Sequence, residues 1–586
     1  MESQPGYRAD IDGLRALAVL PVVLYHSGVS AFGGGYIGVD VFFVISGAVI
    51  ALSIQRDLMA GRFTIAGFYE RRARRILPAL TLVLLATATA SVFIAPPVYF
   101  EPFANSLAFT AGFFSNIYFW RNSGYFGSES PFLPLLHTWS LGIEEQYYIA
   151  APLLLLVIFT LLRRRWALVA LAPPPQMPSP VGRETVAAAG LALIVAPIFL
   201  YTQNTPFPGL TALAPAFGAA LLIHVGAARD QTLASRAFSW RPLVAIGLIS
   251  YALYLVHWPF LVFASFVLMR PLTPPEIAIA IAVCFLISAA LYRWVERPLR
   301  HAPAPRRVVF ALALAAIAAT AAVGVLSPRL NRMLYANTPE GAFHFDWSGA
   351  DAALGTGTCL LSDGYQTYRD WRADRCVRAT GSGPDILLWG DSFAAHYAPG
   401  IEATGGRATG RVIQYTLQGC PPVRIPDAPR ECRAFVEHAF DMIAREHVRR
   451  VVLAANWLEY GPDPVARIGP TLAALRRANV EVTLIGQSPH FYLPPFLIAA
   501  RRGEAKAPDF AAQTDPRAMA INRVLAANAA ATGARFVDPV THLCNGDLCP
   551  VRENDVELYF DYGHFTPAGS TRAVRSYFPH LESAQN

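Results

Sequence analysis

Residues 7–26 read Tyr-Arg-Ala-Asp-Ile-Asp-Gly-Leu-Arg-Ala-Leu-Ala-Val-Leu-Pro-Val-Val-Leu-Tyr-His. From Ile11 onward the stretch is apolar enough to enter a bilayer, yet it carries Arg15 and ends at His26. Ionisable residues inside such a run are costly, and they mark function by default. The two lie eleven positions apart. That is close to three helical turns, so they share a face about 16 Å apart along the axis. Arg15 is suited to hold an anionic group and His26 to move a proton near neutral pH. A histidine at the end of a span also reads more simply as an interfacial residue.

Outward from this run the apolar character continues. Of the 586 residues 54% are hydrophobic, and they crowd the part before Ser327. A span needs roughly 20 apolar residues. Candidate spans are 11–29, 36–54, 77–97, 139–162, 187–200, 209–226, 243–266, 277–291 and 308–326, with a weaker one over 103–120 interrupted by Asn105, Ser115 and Asn116. Net charge is +7, nearly all from arginine, with Lys506 the one lysine. The arginines cluster between apolar runs: Arg71, Arg72, Arg74 and Arg75; Arg163–Arg165; Arg229, Arg236 and Arg241; and Arg293 to Arg307. This is the pattern of cytoplasmic loops rather than of a nucleic-acid surface. Nine crossings with the N-terminus inside satisfy every cluster, and the expected total is odd, nine to eleven. The first run lacks a small-residue cleavage site and is followed directly by another, so it reads as a signal anchor.

The chain beyond Leu326 reads differently. Cys359, Cys376, Cys420, Cys432, Cys544 and Cys549 all fall there, while Cys284 lies in an apolar run. An even number confined to one region suggests disulfides and an oxidising compartment. Sequence neighbours would pair 359 with 376, 420 with 432 and 544 with 549, although six cysteines allow about fifteen connectivities. No CxxC pair or histidine cluster suggests a metal. Residues 331–384 read as an extracytoplasmic linker or extension. From Asp385 to the end, short apolar strands alternate with helical stretches, which predicts an α/β domain of three layers on a parallel sheet. The strand Ile386–Trp389 runs into Gly390-Asp391-Ser392, and Asp561-Tyr-Gly-His564 comes near the end. A serine between a strand and a helix is exposed at the sheet edge, and Asp-x-x-His puts a base and its orienting carboxylate on one loop.

Gly-Asp-Ser, Gly419-Cys-Pro-Pro422, Asn456 after a strand and the late Asp-x-x-His together resemble the SGNH hydrolase/esterase superfamily. The resemblance implies Ser392 as nucleophile, His564 as base and Asp561 as its partner. The Ser392 amide, the Gly419 amide and the Asn456 side chain would form the oxyanion hole. His396 reads as structural or substrate-facing. The first half adds six motifs in order: residues 7–26; Gly38-Val-Asp-Val-Phe-Phe-Val-Ile-Ser-Gly47; Phe68-Tyr-Glu-Arg-Arg-Ala-Arg-Arg-Ile-Leu-Pro78; His137-Thr-Trp-Ser-Leu-Gly-Ile-Glu-Glu-Gln-Tyr-Tyr148; Ile249-Ser-Tyr-Ala-Leu-Tyr-Leu-Val-His-Trp-Pro259; and Trp294-Val-Glu-Arg-Pro298. Together they resemble the acyltransferase-3 family of membrane acyltransferases. The fusion resembles O-antigen acetyltransferases of the OafA type.

That resemblance implies a multi-span α-helical domain over 1–330 followed by an extracytoplasmic SGNH domain over 385–586. It implies an acyl-CoA donor, acetyl-CoA above all, used as substrate with no permanently bound cofactor. The acceptor would be a hydroxyl of a cell-surface glycan such as lipopolysaccharide O-antigen. His26 is then the essential histidine, Arg15 its partner in the motif, and Arg71, Arg72, Arg74 and Arg75 the basic donor-binding motif. Glu144 and Glu145 match the family's carboxylate pair, which would orient His26 or a substrate hydroxyl, or simply satisfy each other's neighbours through a shared proton. The site would be the inner membrane of a bacterium, with the C-terminal domain in the periplasm. One departure is Leu210–Gly218, which lacks the Arg-x-x-Glu pattern of many relatives. Two other readings stay open: transfer wholly within the membrane domain, with the SGNH domain an esterase or binding module, and a glycan or lipid transporter carrying an inactive hydrolase domain.

Overall fold

The computed structural model describes residues 7–122, 132–161, 179–202, 205, 209–227, 231–342, 347–362, 366–379, 383–405, 410–426 and 428–578. Arg163–Arg165, Arg229 and most of the Pro-rich 173–180 loop lie outside the described residues. The chain forms two compact units, 1–336 and 337–586.

The first unit is helical. Its main helices are α1 (Ala9–His26), α2 (Gly38–Met59), α3 (Ile65–Ile94), α4 (Pro97–Ala111), α5 (Ser115–Asn122), α6 (Thr138–Leu161), α7 (Pro180–Leu200), α8 (Leu213–Val225), α9 (Arg241–Leu268), α10 (Pro274–Leu291) and α11 (Arg306–Tyr335). Among the described residues, six helices are long and apolar enough to cross a membrane: Gly35–Met59, Ile65–Ile94, Pro180–Leu200, Arg241–Leu268, Pro274–His301 and Arg306–Tyr335. With that, the unit is that of a multi-pass membrane protein. Helix α1 falls outside the six while bearing Asp10, Asp12 and Arg15, yet its Val19 and Val23 lie in the same core as Ile50, Leu141 and Leu253. The weak candidate 103–120 is not one helix. It divides into α4 and α5 around Phe113, whose φ of 62° breaks the helical path. Helix α1 lies close on α9, because a Cβ at Gly247 would collide with the Asp12 carbonyl.

The second unit is an α/β domain. Its strands are β1 (Leu360–Leu361), β2 (Val377–Ala379), β3 (Ile386–Gly390), β4 (Arg411–Leu417), β5 (Arg450–Ala454), β6 (Glu481–Ile485), β7 (Phe510–Gln513), β8 (Arg535–Val537), β9 (Leu548–Glu553) and β10 (Val556–Glu557). The main sheet runs β1-β4-β3-β5-β6-β8, parallel throughout, with β2 antiparallel on the β4 edge. Strands β7, β9 and β10 form a separate antiparallel sheet. Strand β3 is buried along its whole length, as a central parallel strand must be.

The stretch 331–384 reads in sequence as a linker or extension. Where described, its later part belongs to this domain, since β1 and β2 pair with β4 and Cys359 is bonded to Cys376. Strands of two and three residues carry too little periodicity to be legible. The other disulfides join Cys420 to Cys432 and Cys544 to Cys549, and Cys284 is a buried free thiol in the first unit.

Candidate active sites

The Gly-Asp-Ser stretch leaves the end of β3. Gly390 lies against β5 so closely that a Cβ would collide with the Ala454 carbonyl, which accounts for glycine there. Asp391 caps the one-turn helix Ser392–Ala395, accepting the Phe393 N–H at 2.7 Å. Ser392 Oγ lies 2.8 Å from His564 Nε2, and His564 Nδ1 lies 2.7 Å from Asp561 Oδ2. A carboxylate only accepts, so Nδ1 carries the proton and Nε2 is set to take one from the serine. Asp561 Oδ1 accepts the N–H groups of Gly563 and His564 at 2.9 and 2.8 Å, which fixes the carboxylate within its own turn.

Electrostatics follow this geometry. Burial works against the charge of Asp561, but His564 and the hydrogen bonds outweigh it and hold the carboxyl below its ordinary value. Burial works against an imidazolium at His564 too, and Asp561 outweighs it, leaving the histidine more basic than usual. The group can thus take and return a proton beside a serine.

Parallel register gathers the remaining parts. Gly390 stands opposite Thr416 of β4 and Ala454 of β5, so the loops carrying Ser392, Gly419 and Asn456 leave the same sheet edge. Gly419 turns with φ 66°, a conformation that favours glycine. Asn456 donates from Nδ2 to Glu459 at 3.1 Å, while its buried Oδ1 has no partner among the described residues. Asp391 is the residue whose part here was not read from sequence, although it stands inside the quoted motif. Its Oδ2 accepts the Asn456 N–H at 2.9 Å and the Tyr460 hydroxyl at 2.6 Å, tying the β5 loop to the serine loop. Burial nevertheless raises its pKa, against those bonds. His396 is fully buried among Tyr397 and Phe565.

The first unit holds a second site. A cavity partly open to the surroundings is lined by Arg15, Arg72, Arg75, Glu144, Glu145 and Tyr148 among others. Arg15 pairs with Asp12 at 2.8 Å. Glu144 accepts the Ser46 hydroxyl at 2.7 Å, and Glu145 Oε1 is buried with no partner among the described residues. The four-arginine motif of α3 divides by helical phase. Arg72 and Arg75, three apart, share the cavity face. The other two of the four, Arg71 and Arg74, do not line it. Arg71 bonds Asp57 at 2.8 Å, and Arg74 bonds Glu70 at 3.0 Å and the carbonyls of Ala302 and Ala304 at 2.7 Å each. Two arginines are cavity cations and two fasten α3 to its surroundings.

His26 is not among the residues lining that cavity. Its Nδ1 lies 2.9 Å from His257 Nε2, the rings stacked with centroids 5.2 Å apart, and Trp258 stands edge-on at 4.7 Å. The expectation that Glu144 and Glu145 orient His26 is therefore corrected: an imidazole from α9 bonds it, while the glutamates line the cavity with Arg15. His257 was in plain view in the Ile249–Pro259 motif, but nothing in the local pattern pointed it at His26.

Comparison with known proteins bears on both units. A family profile described as an acyltransferase domain matches residues 8–173, and one described as an SGNH domain fused to AT3 domains matches 358–578. The "Putative membrane-bound transacylase BcsY" of Komagataeibacter xylinus is 30% identical over 328 residues, covering 50% of this chain and 82% of that one. The O-acetyltransferase OatA of Staphylococcus aureus strain NCTC 8325 / PS 47 is 25% identical over 354 residues, 50% of this chain and 58% of its own. The peptidoglycan O-acetyltransferase OatA of Listeria monocytogenes is 27% identical over 358 residues, 50% and 56%. The chain thus spans little more than half the length of the two OatA proteins. The periplasmic domain of a Salmonella Paratyphi A lipopolysaccharide acetyltransferase covers 40% of this chain and 95% of its own at 16% identity, with a TM-score of 0.34, too loose a superposition to add to the profile match. The chain belongs to the acyltransferase-3 family of membrane O-acyltransferases, in the form that carries a C-terminal SGNH domain.

Proposed function

We propose that this protein takes an acetyl group from acetyl-CoA and delivers it to a hydroxyl of a cell-surface glycan, using the two sites in series. The observation that carries the reading is the hydrogen-bonded Ser392–His564–Asp561 chain, in a protein whose other unit is an acyltransferase domain with a cavity lined by three arginines. Arg15, Arg72 and Arg75 hold the anionic part of the donor, since guanidinium forks match phosphate oxygens. His26, about 16 Å further along α1, acts on the thioester end. The donor is a substrate, and no permanently bound cofactor is invoked. The protein sits in the inner membrane of a bacterium, with the SGNH domain in the periplasm, where disulfides persist.

At the second site Ser392 Oγ attacks the acyl carbonyl, giving its proton to His564 Nε2. The N–H groups of Ser392 and Gly419 and Nδ2 of Asn456 stabilise the oxyanion. The leaving group takes that proton, and an ester remains on Ser392. This leaving group is a carrier hydroxyl or thiol that was acylated at the first site, where His26 took its proton as it attacked the thioester and CoA left with that proton as the free thiol. A sugar hydroxyl then gives its proton to His564 and attacks the ester. Ser392 leaves and recovers the proton, and the acetylated glycan departs. Lipopolysaccharide O-antigen and peptidoglycan are the two acceptors to assay.

The test uses membranes carrying the full-length chain, supplied with isotope-labelled acetyl-CoA and no glycan. Mass spectrometry of the digest is expected to find label on the Ser392 peptide, and none in His26→Ala. No label at Ser392 in the wild type, together with glycan acetylation that persists in Ser392→Ala once glycan is supplied, would overturn the serial reading.

A further inference from the structure

His257 Nδ1 lies 3.0 Å from the carbonyl oxygen of Leu253, one turn back on α9. A carbonyl has no hydrogen to give, so Nδ1 of His257 carries it. His257 is fully buried, and among the described residues no carboxylate is bonded to it. Its ring packs against two further imidazoles, His26 and His137, with centroids at 5.2 and 5.7 Å. A charge there would lack compensation, so the ring is neutral. A neutral imidazole with hydrogen on Nδ1 has a bare Nε2, which can only accept. The 2.9 Å contact therefore runs one way, with Nδ1–H of His26 donating to Nε2 of His257.

We infer that His257 is a positioning residue which selects the tautomer of His26, through the ordered chain Leu253 carbonyl, His257, His26. His26 then keeps its hydrogen on Nδ1 and its lone pair on Nε2. When Nε2 takes a proton, the ring becomes an imidazolium whose Nδ1–H stays on His257. Without His257 the Nδ1 hydrogen of His26 loses this acceptor, and that bond no longer disfavours the tautomer that puts the hydrogen where the base must be. The arrangement does for His26 what a carboxylate does for the base of a hydrolytic triad. It does so with a neutral relay anchored on a backbone carbonyl, which suits an apolar interior where an added anion would be costly. The inference rests on the proposed role of His26 in transfer.

The test compares three substitutions in the full-length protein, assayed in membranes for acetyl-CoA-dependent ester formation at equal protein content. A glutamine amide reaches the place of Nε2, so His257→Gln keeps an acceptor for His26. An asparagine amide reaches only the place of Nδ1, so His257→Asn keeps the bond to Leu253 and loses the one to His26. His257→Leu loses both. We expect kcat within about fivefold of wild type for Gln and about a hundredfold lower for Asn and Leu, the scale of one general-base contribution, with KM for acetyl-CoA unchanged in all three. A merely structural histidine would favour Asn, the smaller residue that keeps the helix contact. Equal rates for Asn and Gln, or a near-normal rate for Leu, would overturn the inference while an inactive His26→Ala left the transfer reading intact. A His26→Ala variant of normal rate would overturn both together.

Discussion

His564 and His26 each donate a bond from Nδ1, but to acceptors of opposite kind. His564 donates to the carboxylate of Asp561, itself bound by two backbone amides, and is made more basic by it. His26 donates to an imidazole that donates in turn to a backbone carbonyl, with no formal charge anywhere in the chain. The first arrangement stabilises an imidazolium as well as orienting it. The second orients without adding a charge. A domain with ordinary surroundings can satisfy a buried carboxylate through its own turn, as Asp561 shows. A helix bundle between apolar surfaces does better with neutral partners. The same constraint accounts for the paired Arg15 and Asp12 at the other end of α1, where a lone cation would be unsupported.

Several measurements would break or sharpen this contrast. The largest effect belongs to Ser392→Ala, which removes the nucleophile. Glycan ester formation should fall by a factor on the order of 10⁴ or more, read by mass spectrometry of surface polysaccharide. Next comes Asp561→Asn, which leaves the shape but removes the charge. The rate should drop by about 10³ to 10⁴, from the wrong tautomer of His564. Its pH profile carries the sign. The base must be unprotonated to act, so activity rises with pH as His564 loses its proton. Because Asp561 raises that pKa, the acid limb of the variant should lie at lower pH than in wild type. A limb that does not move would mean that Asp561 orients His564 without tuning it, erasing the distinction from His26.

Smaller effects follow. Asn456→Ala should cost about 10² to 10³ in kcat if its amide meets the oxyanion. An unchanged rate would assign Asn456 to holding Glu459 alone. In the membrane domain the arginines should split as their directions do. Arg75→Ala should raise KM for acetyl-CoA by about tenfold or more, the loss of one bond to a charged group. Arg71→Ala should leave KM unchanged and cost under about 1 kcal/mol of stability, as an exposed ion pair does. Equal effects at the two positions would contradict the cavity assignment.

How much of this was legible in the sequence depended on how local each signal was. The triad was legible because two short motifs hold it: a strand running into Gly-Asp-Ser, and a loop with carboxylate and base three residues apart. The phase of Arg71 to Arg75 could have been read from the helical period, since Arg72 and Arg75 fall on one face. It was masked by the basic run being treated as a single cluster. The pairing of His26 with His257, 231 residues apart, had no local signature at all. Nor did the edge strands of 331–384, since β1 and β2 exist only through their pairing with β4. The role of Asp391 stood inside the motif and still needed the β5 loop in place to show what its second oxygen binds.

The most direct test of the serial account is the ester content of surface polysaccharide from cells expressing wild type, His26→Ala or Ser392→Ala, at matched protein levels. The account predicts that both variants lose the same ester, with a mass that identifies the acyl group. Loss in His26→Ala with full retention in Ser392→Ala would contradict it and place the whole transfer in the membrane domain.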